Sequence, residues 1–88
     1  MLHLTFKLQP AKENGRSPIE IVLKNGKKIS KEITENTDEL LEKLDKVLKK
    51  NKIDIESLKD IDVEIANGAG LTSKRIVLAI TRALRLNL

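Results

Sequence analysis

The 88-residue sequence contains no cysteine, no tryptophan and no tyrosine, with Phe6 its only phenylalanine and His3 its only histidine. Each absence removes a class of function. Without cysteine there is neither a disulfide framework nor a zinc–thiolate site. With Phe6 as the sole aromatic, platforms for stacking nucleotide bases are missing. One histidine, and acids scattered over strand and helix faces, leave no nucleophile–base pair. No catalytic residue, metal site or cofactor is therefore expected. No apolar run approaches the ~20 residues that span a bilayer, and the first residues lack the basic and apolar segments of a signal peptide. A cytoplasmic location without membrane association is the expectation. Excess charge is scarce too, at +4, and the lysines interleave with acids, which reads as a solvated surface rather than a nucleic-acid footprint.

What is present reads as one domain over residues 1–88, with alternating strands and amphipathic helices. Leu2, Leu4, Phe6 and Leu8 alternate with His3, Thr5, Lys7 and Gln9, the mark of a half-buried strand. His3 falls on the wet face of that strand, with no second histidine or carboxylate next to it. A polar loop with Asn14-Gly15 leads to Pro18 and a second strand carrying Ile19, Ile21 and Leu23. Asn25-Gly26 is a two-residue hairpin signal. The returning strand, Lys27 to Thr34, bears Ile29 and Ile33 as its apolar residues and exposes Lys28, Lys31 and Glu32, which suits a sheet edge.

Asn36 or Thr37 is placed to cap a helix from Asp38 to Lys50. There Leu40, Leu41, Leu44, Val47 and Leu48 fall within ~120° of arc, an ordinary core-facing stripe. Asp60 to Ile65 alternates again, Ile61, Val63 and Ile65 against Asp60, Asp62 and Glu64. Gly68 and Gly70 then reverse the chain into a last helix, Ser73 to about Leu88. Thr72 is spaced as its cap and Leu71 with Ile76 as a hydrophobic staple. This helix is apolar over ~200°, twice what one core seam needs. Val77, Ile80, Leu84 and Leu88 form one seam, and Ile76, Ala79, Ala83 and Leu86 a second. Lys74, Thr81, Arg82 and Arg85 take the polar face.

The fold that follows is α/β, a two-layer βββαβα sandwich in sheet order 3-2-1-4 with both helices on one face. The second seam faces either the first helix or a partner. The expected partner surface comprises Leu41, Leu44 and Leu48 of the first helix with Ile76, Val77, Ala79, Ile80, Ala83 and Leu84 of the last. A competing expectation is a small anion or nucleotide held on Gly68, Ala69, Gly70, Thr72 and Ser73 at the helix N-terminus, where amides and dipole favour phosphate. A third is transfer RNA contacted through Arg75, Arg82 and Arg85.

The run Ile55-Glu56-Ser57-Leu58-Lys59-Asp60-Ile61-Asp62, followed by Gly68-Ala69-Gly70-Leu71-Thr72-Ser73-Lys74-Arg75-Ile76, resembles the amino-terminal lobe of the TsaB (YeaZ) family. In that family an SLKDID approach leads through a strand into a loop of the form G-P-G-S-F-T-G/S-L-R-I-G. The resemblance implies half of an RNase H-like lobe of the ASKHA (actin-like ATPase) superfamily. It also implies a non-catalytic subunit that homodimerises, or binds a TsaD-like protein, through its two helices in threonylcarbamoyladenosine modification of transfer RNA. Contact with the tRNA itself would be indirect. Ala69 stands for the loop's proline, one residue is missing between Gly70 and Thr72, and Val77 replaces a glycine. The Asp-Thr-Ser that such folds often carry in the first strand is Thr5-Phe6-Lys7-Leu8 here. The resemblance covers about the first third of a family member and ends where a fifth strand would begin. A single lobe lacking that acid is not expected to bind or hydrolyse nucleotide.

Overall fold

The computed structural model describes residues 2–35, 37–58 and 60–86. The strands are β1 (Leu2–Leu8), β2 (Ile19–Asn25), β3 (Lys28–Thr34) and β4 (Asp60–Ile65). Helix α1 (Leu40–Lys50) lies between β3 and β4, and α2 (Leu71–Leu86) follows β4. The sheet order is β3-β2-β1-β4, antiparallel except for the parallel β1–β4 pair. Both helices lie on one side, α1 over β2 and β3 and α2 over β1 and β4. This is the expected two-layer sandwich.

Alternation in β1 explains the layer. Leu4, Phe6 and Leu8 point toward the helices, and the register sets them beside Leu23, Ile21 and Ile19 of β2 and Ile61, Val63 and Ile65 of β4. Leu40, Leu44, Val47 and Leu48 of α1, Val77 and Leu84 of α2, and Leu58 close over them. At roughly 1.5–3 kcal/mol for each fully buried aliphatic or phenylalanine, this single layer is the main source of stability. Among the described residues no helix is long and apolar enough to cross a membrane.

Several local expectations change. The hairpin turn is Gly26-Lys27, not Asn25-Gly26, because Asn25 already pairs with Lys28. Gly26 has φ +64° and Lys27 does not share the left-handed conformation, as in a type II′ turn with glycine first. In β3 the apolar face is inverted. Ser30, Glu32 and Thr34 lie opposite Leu23, Ile21 and Ile19 on the helix side. Ile29 and Ile33 lie on the uncovered face, 55% and 50% exposed. Val22, between Thr5 and Lys31 on that same face, is nevertheless buried.

A 3-10 turn at Thr37–Glu39 leads into α1, whose N-cap is Glu39 with no side-chain capping bond. Thr37 is therefore not the cap, and the expected alternative, Asn36, lies outside the described residues, as do Leu88 and the side chain of Leu86. At its other end α1 stops in a Schellman motif. Ile53 N–H donates to Leu48 O (2.9 Å) and Lys52 N–H to Lys49 O (3.1 Å), with Lys52 left-handed at φ +56°.

Candidate functional site

The glycine loop joins β4 to α2 and is held from below by the connection between β1 and β2. Ala11 N–H donates to Gly68 O (2.9 Å), while Gly68 itself sits at φ +85°. The amide of Gly70 donates to Ser17 Oγ at 2.8 Å, and Ser17 N–H to Ser73 Oγ at 3.4 Å. A Cβ on Gly70 would stand 2.9 Å from Gly15 O, so only glycine lets the two loops meet. That contact also sets the helix start. Lys74 N–H donates to Gly70 O, which makes Gly70 the cap and begins α2 at Leu71. Thr72 is thus inside the first turn rather than its cap. Leu71 is 61% exposed at the first helical position and staples nothing.

One amide of the candidate anion loop, that of Gly70, is thus taken by the chain itself. What remains beside Thr72 and Ser73 is a cavity of about 200 Å³ also lined by Gly15, Arg16, Thr37, Asp38 and Ile76. The charged lining is mixed, Arg16 against Asp38, so the cavity offers an incoming phosphate no net positive cradle beyond the helix dipole.

The expected partner surface divides into two sets. Leu44, Leu48, Val77 and Leu84 belong to the buried core. Leu41 is 56% exposed, Ala79 and Ala83 are exposed, and Ile76 and Ile80 are half-buried. Their placement follows from how each helix is fastened. On one flank α1 is tied to β3 by Lys43–Glu32 (3.9 Å) and by the Ser30 hydroxyl donating to Asn51 Oδ1 (3.0 Å). Leu41 lies on the other flank, toward α2. Helix α2 sends Arg85 over the outer edge of β4, where its guanidinium donates to Ile61 O. Ile76, Ile80 and Ala83 lie on the opposite flank, toward α1, and Ile76 shares a cavity with Thr37 and Asp38 at the start of α1.

Leu41, Leu44 and Leu48 meet Ile53 and Ile55 in an apolar groove of about 350 Å³, rimmed by Asp45, Lys49 and Asp54. Ile53 and Ile55 lie outside every element predicted from the sequence. Two isoleucines directly after a leucine-faced helix were the available signal. Thr81, expected on the polar face, is buried instead. Its hydroxyl donates to Val77 O at 2.8 Å, which satisfies it within the helix.

The three arginines do not act alike. Arg75 and Arg82 are exposed, whereas Arg85 is engaged on the β4 edge. His3 gains neighbours that its own segment does not carry. The parallel register brings Asp60 and Asp62 alongside, with Nε2 3.1 Å from Asp62 and Nδ1 3.9 Å from Asp60. Lys7 pairs with Glu64 in the same way at 3.7 Å. Such exposed pairs contribute at most about 1 kcal/mol. Among the described residues no group of three or more histidine or acidic side chains is placed to hold a metal ion.

No family profile matches the sequence, and no curated protein matches it. The fold, by contrast, is similar to a solved structure, YeaZ from Pseudomonas aeruginosa. That match has a TM-score of 0.70 at 15% identity and covers 96% of this chain and 39% of YeaZ. At that identity the likeness is one of fold: this chain has the architecture of a TsaB-like lobe and spans well under half the length of the protein it matches.

Proposed function

We propose that the chain is a non-catalytic interaction module of the TsaB type. It docks a helical partner, a second copy or a TsaD-like subunit, on Leu41 and the apolar groove beside it, together with the facing flank of α2. Through that partner it serves the threonylcarbamoyladenosine modification of transfer RNA. The observation that carries this reading is Leu41, 56% exposed on the flank of α1 that faces α2. Ile76, Ile80 and two exposed alanines run along the flank opposite. Covering Leu41 and Ile55 would contribute roughly 1.5–3 kcal/mol for each side chain fully buried. The short side chains of Ala79 and Ala83 permit helices to approach closely. The YeaZ-like fold agrees with this reading, since the family resemblance assigns pairing to these two helices.

The test is the mass in solution by light scattering, alone and mixed with a TsaD-like protein. Association is expected, and Leu41→Asp or Ala79→Asp, both at exposed positions, should abolish it while leaving the circular dichroism unchanged. A wild type that stays monomeric and also ignores the TsaD-like protein would overturn the reading. The competing anion-loop reading is disfavoured by Ser17 occupying the Gly70 amide.

A further inference from the structure

Cations and acids are not evenly shared over this surface. Lys7, Lys12, Lys43 and Lys49 each pair with a carboxylate. Lys24, Lys27, Lys28, Lys31, Lys46 and Lys50 form no ion pair among the described residues, and all six are exposed. Lys52, just past α1, and Lys74, on α2, are likewise exposed and without an ion pair among the described residues, so the cluster is that of Lys31, Lys46 and Lys50 with their near neighbours. Lys31, Lys46 and Lys50 line a groove of about 310 Å³ between the outer edge of β3 and α1, floored by Ser30, Val47 and Asn51. Lys27 and Lys28 stand at the adjoining β2–β3 turn, whereas Lys24, paired with Ile29, lies on the uncovered face of the sheet. Glu32, the groove's one acid, is already opposite Lys43 at 3.9 Å. Glu42, a turn before Lys46, makes no ion pair with it.

We propose that this β3–α1 groove, with the adjoining β2–β3 turn, binds the phosphate backbone of a nucleic-acid strand without reading its sequence. The side chains select that partner over an acidic protein. Protein interfaces are depleted in lysine and draw their energy from aromatics and arginine, neither of which lines this groove. A lysine ammonium is a compact point charge suited to single phosphates. Lys46 and Lys50 are one turn apart, a rise of about 6 Å, and a nucleic-acid strand carries a charge every ~3.4 Å of axis. Base recognition has no platform here, so binding rests on charge alone and must fall steeply with salt. The groove lies on the flank of α1 away from Leu41, so both surfaces can be occupied at once.

The experiment is fluorescence anisotropy of the full chain with a labelled 20-nucleotide single-stranded RNA over a salt series. Wild-type binding at least as tight as about 100 µM is expected at low salt. The triple variant Lys31→Gln/Lys46→Gln/Lys50→Gln should bind at least tenfold more weakly. Its slope of log affinity against log salt should be shallower by about 2, since each phosphate contact on a single strand contributes about 0.7. The variant Arg75→Gln/Arg82→Gln on α2 should stay within twofold of wild type. A triple variant that binds like wild type, a loss carried by the arginine variant, or no wild-type binding at low salt each overturns the proposal. So does displacement of the RNA by polyglutamate at lower charge concentration than by unlabelled RNA, which would assign the groove to an acidic protein.

Discussion

Ser17 accepts a hydrogen bond from the amide of Gly70 at 2.8 Å, across fifty-three residues of sequence. The contact joins the loop before β2 to the cap of α2, and Ser17 is fully buried where it is made. Replacing Ser17 with alanine leaves the Gly70 amide without its acceptor, an expected loss of about 1–3 kcal/mol. Gly70→Ala forces a methyl toward Gly15 O and should cost a similar amount. Urea unfolding measures both; a Ser17→Ala midpoint equal to wild type would show that the loops do not depend on this bond.

Lys52 occupies the left-handed position that ends α1, where glycine has no Cβ penalty. Lys52→Gly is expected to stabilise the chain by about 0.5–1 kcal/mol, read as a higher urea midpoint at unchanged slope. Lys50→Gly, two residues earlier and still helical, should destabilise by about 1 kcal/mol and serves as the control.

Thr81 is buried, yet its hydroxyl only adds a second donor to a helix carbonyl. Thr81→Val keeps the shape and strands no partner, so stability should change by less than about 1 kcal/mol. Thr81→Asp places a charge in the same space and should prevent folding. Thermal melts of the two variants separate these outcomes.

Arg85 covers one carbonyl of the exposed edge of β4. Arg85→Ala should lower stability by about 1 kcal/mol, the bond being charge-assisted but partly solvated. It should also increase concentration-dependent scattering, because an uncovered edge offers backbone groups to another chain. Light scattering over a concentration series reads the second effect.

Strand and helix periodicity fixed the layer and the sheet order, since both follow from which residues can be buried together. What the pattern withheld was register. A two-residue hairpin loop pairs odd positions with even ones, so the partners of Ile19, Ile21 and Leu23 are even-numbered, and Ile29 and Ile33 fall on the other face. That inversion was available once the turn length was taken seriously. The neighbours of His3 were not, because nothing local sets how β4 slides along β1. Ser17 gave no signal either: a buried serine in a polar loop looks like an exposed one until the glycine that meets it is placed. In the candidate interface, helical periodicity identified the apolar face but could not decide which leucines the core would claim, and only Leu41 of its α1 members stayed outside.

The inverted polarity of β3 makes the seating of α1 uneven. Toward β2 the helix rests on apolar contacts that water cannot replace. Toward β3 it rests on Lys43–Glu32 and Ser30–Asn51, polar contacts that water can take over at a cost of at most about 1 kcal/mol each. Mechanically, α1 is hinged along one side and latched along the other. A load applied at Leu41 would therefore tilt the helix away from β3 rather than lift it, with the β3-side latch as the first part to give.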